Sequence, residues 1–222
     1  MKRIPEPELM EDEEQVRAYA GADFENVHRN FITLFQATFG QNDLCGYVLD
    51  LGCGHGDITM RFARAYPKCI VHGIDGSEAM IRCGNGILKE AHDIQDRVVL
   101  IRGMLPASAL PRRKYDIIIS NSLLHHLAMP HTLYQCIELY AISGAPVFIM
   151  DLRRPQTTGE ANALVQTFVA HEPEILKRDF YNSLLAAYTI EEVGEQLQGT
   201  ELAHLSVKAV GDRHIVISGY MV

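Results

Sequence analysis

One ten-residue stretch constrains this chain more than any other: Val48-Leu-Asp-Leu-Gly-Cys-Gly-His-Gly-Asp57. An apolar run ends in three glycines at alternate positions, Gly52, Gly54 and Gly56, and leads into helical periodicity. That order predicts a buried strand, a tight turn and a helix. Glycine reaches backbone conformations that other residues resist, and it lacks the Cβ that would hold a ligand away from the main chain. A nucleotide-type cofactor is implied. The next strand adds a second signal, since Gly73-Ile-Asp75 places a carboxylate 25 residues after Asp50 (75 − 50), in position to accept from the two hydroxyls of a ribose.

From Val48 onward, short β-branched runs alternate with longer helical stretches, the pattern of a mostly parallel α/β sheet. The expected strands are 46–51, 69–75, 98–102, 115–121, 146–152, 203–210 and 214–221. The first five are nearly continuous in apolar residues, as in sheets covered by helices on both faces. Gly211 and Asp212 suit a two-residue hairpin turn, so the last strand should run antiparallel to its neighbour. Expected helices are 57–66, 77–93, 131–142 and 189–198, with Ser77 capping the second. At 222 residues and 47% apolar content, the chain is read as a single domain, 1–222. Residues 1–43 and 156–188 stand outside the alternation. Both mix aromatics with charge at helical spacing, and both are expected to pack over the carboxyl edge of the sheet, as an amino-terminal cap and as a lid between the fifth and sixth strands.

The type of cofactor follows from the glycine spacing. Nicotinamide and flavin folds want G-x-G-x-x-G and a helix amino terminus facing a pyrophosphate. Here the sixth position is Asp57, whose carboxylate would repel a pyrophosphate. The string is instead Asp-x-Gly-x-Gly-x-Gly. It resembles motif I of the class I S-adenosylmethionine-dependent methyltransferases, and Ile74-Asp-Gly-Ser-Glu-Ala-Met80 is similar to their second motif. The resemblance implies a Rossmann-like, doubly wound, seven-stranded sheet in a three-layer α/β/α arrangement. It implies S-adenosyl-L-methionine as cofactor and S-adenosyl-L-homocysteine as product.

By the same resemblance, Asp75 would hold the ribose hydroxyls, with Gly76, Ser77 and Met80 beside the adenosine. Asp50, Gly52, Cys53 and Gly54 would surround the methionine portion. The segment 115–127 is similar to the fourth motif, so Asn121 and Leu124 would face the cofactor. The third strand ends in Gly103-Met104-Leu105-Pro106, where many members have Gly-Asp, leaving the backbone amides of Met104 and Leu105 to meet the adenine.

A sulfonium is an activated donor, so methyl transfer needs alignment and exclusion of water rather than a covalent nucleophile. A hydroxyl, imidazole or thiol acceptor must lose a proton, and His125 and His126, just past the fourth strand, are the nearest bases. Arg153 and Arg154 follow the fifth strand and could clamp an anionic acceptor, unless one of them pairs with Asp179 or Glu172. Tyr19, Phe24 and His28 in the cap, and Tyr181 and Asn182 in the lid, are expected as walls of the acceptor pocket. Asp212-Arg213-His214 is accounted for by the hairpin turn, though Arg213 could also reach the pocket.

His125, His126 and His131 lack metal-ligand helical spacing, and no metal is expected. The five cysteines are odd in number and form no C-x-x-C pair, which fits reduced thiols. A net charge of −8 with no basic stripe disfavours a nucleic-acid partner, so a small-molecule acceptor leads. No apolar run is long enough to span a membrane and the chain start has no leader pattern, so the expected setting is cytoplasmic. RNA or protein methylation, or a non-catalytic cofactor-binding regulator, are the alternatives. A nicotinamide-dependent oxidoreductase is disfavoured by Asp57 and by the lack of a Ser, Tyr and Lys pattern. The acceptor atom and the oligomeric state, a homodimer included, are left open.

Overall fold

The computed structural model describes residues 1–6, 9–22, 25–40, 44–106 and 110–222. Seven strands make one sheet: β1 (Cys45–Leu51), β2 (Lys68–Asp75), β3 (Val98–Arg102), β4 (Ile117–Asn121), β5 (Pro146–Leu152), β6 (Ser206–Val210) and β7 (His214–Tyr220). Their order is β3-β2-β1-β4-β5-β7-β6, parallel as far as β5, with β7 antiparallel to both β5 and β6. The strand order reverses between β1 and β4, so a crevice opens at their carboxyl ends, where open α/β sheets take ligands.

Alternate residues of each strand serve opposite faces. In β5, Val147 and Ile149 join the core beneath α5 (His131–Tyr140) and α8 (Ile190–Leu197), while Phe148 and Met150 join the opposite core. That second layer is built from α2 (Glu25–Phe39), α3 (Asp57–Ala65) and α4 (Glu78–Glu90). Two helical layers enclosing one sheet give the three-layer α/β/α arrangement expected from the sequence.

The position of α2 differs from the expectation of an edge cap. Phe31, Phe35 and Phe39 recur every four residues and therefore lie on one face of the helix. They pack edge-on against Phe62 and Phe148, so α2 covers a face of the sheet itself. Among the described residues, α1 (Glu13–Gly21), the segment before it, and α6 (Thr158–Phe168) with α7 (Glu174–Ala186) stand above the carboxyl edge, and the first turn of α2 reaches it through Val27 and His28. Tyr115 forms an isolated bridge to Ala141 ahead of β4, and residues 203–205 are turn rather than strand. No described helix is long and apolar enough to cross a membrane.

Residues 1–6 and 9–12 run as an extended strap over this edge. Arg3 donates from Nε to the carbonyl of Ala186 at 2.5 Å and from its other nitrogen to the carbonyl of His125 at 2.9 Å, with its guanidinium over the Tyr188 ring. At the far end, Ser77 Oγ donates to the carbonyl of Met10 at 2.6 Å. The Phe24 expectation falls outside the described residues.

Candidate functional site

The glycine turn joins β1 to α3. Gly52, at φ +71°, donates its N–H to the carbonyl of Ile74 at 2.9 Å, and Cys53 donates to the same oxygen at 3.0 Å. A Cβ on Gly52 would stand 2.7 Å from Leu123, so the turn folds back only with glycine there. Above Gly54 the space a Cβ would enter is open, leaving bare backbone toward the crevice.

Two carboxylates flank the turn. Asp75 at the end of β2 accepts the Gly54 N–H on Oδ2 and the Ser77 N–H on Oδ1, each at 2.8 Å. Burial pushes its carboxyl above the ordinary range, against the pull of those two bonds. Asp50 accepts from Thr59 Oγ1 at 2.6 Å on one oxygen, while its other oxygen is buried without a hydrogen bond. Burial pushes Asp50 up to about 7, with Thr59 opposing and the charge of Asp75 adding to the rise. Asn121 at the end of β4 likewise buries Oδ1 without a partner. Next to it, Ser122 holds φ at +57°, a conformation a non-glycine residue adopts at a cost.

These groups line a cleft of about 110 Å³ that includes Cys53, Gly54, Asp75 and Met80. It adjoins a larger chamber of about 560 Å³ beneath α1, α6 and α7. Tyr19, His28, Asn121, Ser122 and His126 face both spaces, so the two share a wall. Asp57, in the first turn of α3, is engaged by His28 Nδ1 at 2.5 Å and Arg61 Nε at 2.7 Å. Burial alone would raise its pKa, but these two partners outweigh it and hold the carboxyl at about 2.

At the chamber wall, His125 is almost fully buried, and its Nδ1 lies 2.5 Å from Oδ1 of Asp151. Oδ2 of Asp151 accepts the backbone N–H of Leu124 at 2.7 Å. Nε2 of His125 and Nδ1 of His126 approach Oε1 of Glu6, at 3.5 and 3.3 Å. Burial disfavours the His125 imidazolium, yet the charges of Asp151 and Glu6 prevail and its pKa lies above the ordinary value. Burial also raises Glu6, outweighing the pull of His125.

The structure brings together Asp50, Gly52, Cys53, Gly54, Asp75, Met80 and Asn121 at the cleft, and Tyr19, His125, His126 and Asn182 at the chamber. Several sequence expectations lie elsewhere. Leu124 is buried in the core beneath α5, and only its backbone N–H is near the site, on Asp151. Leu105 packs against that same core, and Met104 stands exposed beside Gly76, where Leu9 of the strap also lies. The Arg153 and Arg154 expectation is corrected. Arg153 donates to the carbonyl of Asp212 on the surface, and Arg154 is buried on Glu192 and the Ala187 carbonyl, so neither lines the chamber. Tyr181 packs within the small core between α6 and α7. The chamber arginines are Arg178 and Arg213 instead. Glu6 and Asp151 were not anticipated at all. Glu6 lies 119 residues before His125 (125 − 6), and Asp151 ends an apolar strand that reads as core.

Residues 48–142, spanning β1 through α5, match the family model for a methyltransferase domain. That segment is a methyltransferase domain, and the chain around it has the fold of the class I S-adenosylmethionine-dependent methyltransferases. Protein arginine N-methyltransferase 1 of Schizosaccharomyces pombe is 34% identical to this methyltransferase over 113 residues, 51% of this chain and 28% of the relative. Malonyl-[acyl-carrier protein] O-methyltransferase of Priestia megaterium is 30% identical over 115 residues, 52% of this chain and 39% of the relative. The matched stretch thus spans well under half the length of either relative. A plantazolicin methyltransferase, in complex with a pentazolic desmethylPZN analog and SAH, has the same fold with a TM-score of 0.67 and 16% identity, covering 93% of this chain and 90% of that one.

S-adenosylmethionine is the cofactor of this family, and the cleft fits it. The two orphaned oxygens, on Asp50 and Asn121, have room to accept hydrogen bonds, and the cofactor offers an ammonium group and ribose hydroxyls to donate them. The bare backbone at Gly54 admits close approach beside Asp75.

Proposed function

We propose that this chain transfers the methyl group of S-adenosylmethionine to a small-molecule acceptor that carries an anionic group. When bound, the cofactor supplies a methyl group already activated on a sulfonium. The residues of the chain then have three tasks: to hold the cofactor in the cleft, to align the acceptor in the chamber and to keep water out.

The observation that carries this reading is the shared wall between cleft and chamber, together with Arg213. Its guanidinium lines the chamber over the Phe168 ring, 3.4 Å from the centroid, and makes no ion pair among the described residues. Burial pulls its pKa down to about 10, so it remains charged at neutral pH. A partly desolvated cation with no carboxylate in direct contact, only the nearby charge of Asp212, favours a carboxylate or phosphate ligand. One relative named above acts on a malonyl group, which bears a carboxylate. Activation of the acceptor atom is assigned to Glu6, His125 and His126, which meet at the chamber wall.

Calorimetric titration with S-adenosylmethionine and S-adenosylhomocysteine, with NADH as control, tests the cofactor. A screen of small carboxylates and phosphates for S-adenosylhomocysteine release tests the acceptor. Micromolar binding and turnover that is lost in Arg213→Ala support the reading. Silence from both adenosyl ligands overturns it, and turnover confined to peptide or RNA acceptors overturns the small-molecule assignment.

A further inference from the structure

We propose that Glu6, His125 and His126 form a binding site for one divalent transition-metal ion at the wall of the acceptor chamber. One ligand atom from each lies within 4.8 Å of the other two. The 3.3 and 3.5 Å separations from Glu6 Oε1 to the two imidazole nitrogens exceed the roughly 2.9 Å of a good N–H···O bond. They match donors shared by a cation, because two ligands about 2.1 Å from a zinc-sized ion at a tetrahedral angle stand about 3.4 Å apart. Glu6 Oε1 is buried and makes no hydrogen bond.

The surroundings are those of a supported metal ligand. A metal-bound imidazole commonly donates its second ring N–H to a carboxylate, which fixes the tautomer and the ring orientation. His125 has that arrangement: Nδ1 faces Asp151 at 2.5 Å, so Nε2 is the nitrogen presented toward Glu6. The Ser183 side chain of α7 hydrogen-bonds the Glu6 carboxyl. The adjacent histidines lie in a turn that stacks their rings at 4.2 Å and 35°, so both face one space, a placement that helical spacing rules do not cover. This departs from the expectation of no metal drawn from that spacing.

Charge points the same way. Two carboxylates, Glu6 and Asp151, flank His125 in a buried setting, and the nearby Arg3 directs its hydrogen bonds to the carbonyls of Ala186, His125 and Leu127. A dication would offset this negative charge. Two imidazoles and a carboxylate suit zinc, iron(II), cobalt(II) or nickel rather than magnesium or calcium. Three protein ligands leave positions open toward the chamber, as in catalytic rather than structural sites. The role of the ion rests on the acceptor site proposed above, because an acceptor oxygen or sulfur bound there would lose its proton to solvent more readily. Binding of the ion does not depend on methyl transfer.

The test is titration of untagged, chelator-dialysed full chain with cobalt(II), followed by visible absorption, with S-adenosylhomocysteine titrated in parallel. Expected are one equivalent of cobalt with ligand-field bands, displacement by zinc, and affinity at least about 10-fold weaker in Glu6→Gln and His126→Gln. Glu6→Gln keeps the size of the side chain and removes only its carboxylate, so the circular dichroism spectrum should stay unchanged, and the parallel S-adenosylhomocysteine titration reports any change at the cleft separately. Absence of a stoichiometric band, or equal cobalt affinity in Glu6→Gln, overturns the site. If S-adenosylhomocysteine still binds in that case, the methyltransferase reading stands without the metal. If cobalt binds and S-adenosylhomocysteine does not, the reverse holds.

Discussion

Nδ1 of His125 lies 2.5 Å from Oδ1 of Asp151, and each side chain is only 2% exposed. This contact fixes which nitrogen of the imidazole faces the chamber. Asp151→Asn keeps the size but presents an amide, so the ring loses its charged partner and the tautomer it enforced. The expected result is a fall in kcat of about 100-fold with S-adenosylhomocysteine affinity nearly unchanged. Equal losses in cofactor affinity and turnover would mean that Asp151 only supports the fold through the Leu124 N–H.

Asp75 binds the glycine turn to the start of α4 through two backbone N–H groups, and its remaining lone pairs face the cleft. Asp75→Ala should weaken S-adenosylhomocysteine binding by about 1 to 3 kcal/mol through the lost charge-assisted hydrogen bonds. Calorimetry checks this directly, and an unchanged Kd removes the ribose assignment.

The sheet was legible because buried parallel strands are written as continuous apolar runs bounded by turn residues. Strand 98–102 coincides with β3, and strand 146–152 with β5. The misread element was α2. Its aromatics repeat every four residues, but their partner Phe148 lies more than 100 residues away, so the sequence did not show which surface they cover. The cleft was legible for the opposite reason, since its glycines and acids are local to β1 and β2. The chamber is assembled from the strap, α1, α7 and the β6–β7 turn, and its chemistry depends on contacts distant in sequence. Arg154 illustrates the difference. Its place after β5 suggested a ligand clamp, but the capping box of α8 leaves Glu192 beside it, and the pair closes at 2.5 Å.

Asp50 gives a pH dependence whose sign is fixed by burial. Its carboxyl titrates near 7 in the fold and near 3.8 when the chain is unfolded, so the native state holds the proton more tightly. Its contribution to stability is therefore present at low pH and declines as pH rises from about 4 to about 7. Asp50→Asn should flatten this decline, as seen in urea midpoints at pH 5 and pH 8. Cofactor affinity should move the opposite way. Its ammonium favours the ionised carboxylate, so S-adenosylhomocysteine should bind more tightly at pH 8 than at pH 6 in the wild type, and equally at both in Asp50→Asn.

Arg3 fastens the strap over the cleft. It donates to the carbonyls of Ala186 and His125 and covers the Tyr188 ring, while Ile4 N–H bonds the Leu185 carbonyl at 3.0 Å. Farther along, Leu9 lies over Gly76, on the side of the cleft where the adenosine is expected, and Ser77 holds the carbonyl of Met10. A cofactor passing this edge must displace the strap or leave beneath it. Arg3→Ala removes hydrogen bonds from a charged donor, each worth about 1.5 to 3 kcal/mol, but leaves the sheet and both of its helical layers intact. The expected outcome is S-adenosylhomocysteine dissociation faster by about 10-fold or more, with a shift in Tm of only a few degrees. Turnover should fall as well, because the same strap holds Glu6 against His125 and His126. Stopped-flow displacement measures the first effect, and unaltered dissociation in Arg3→Ala would show that the cofactor leaves by a route the strap does not cover.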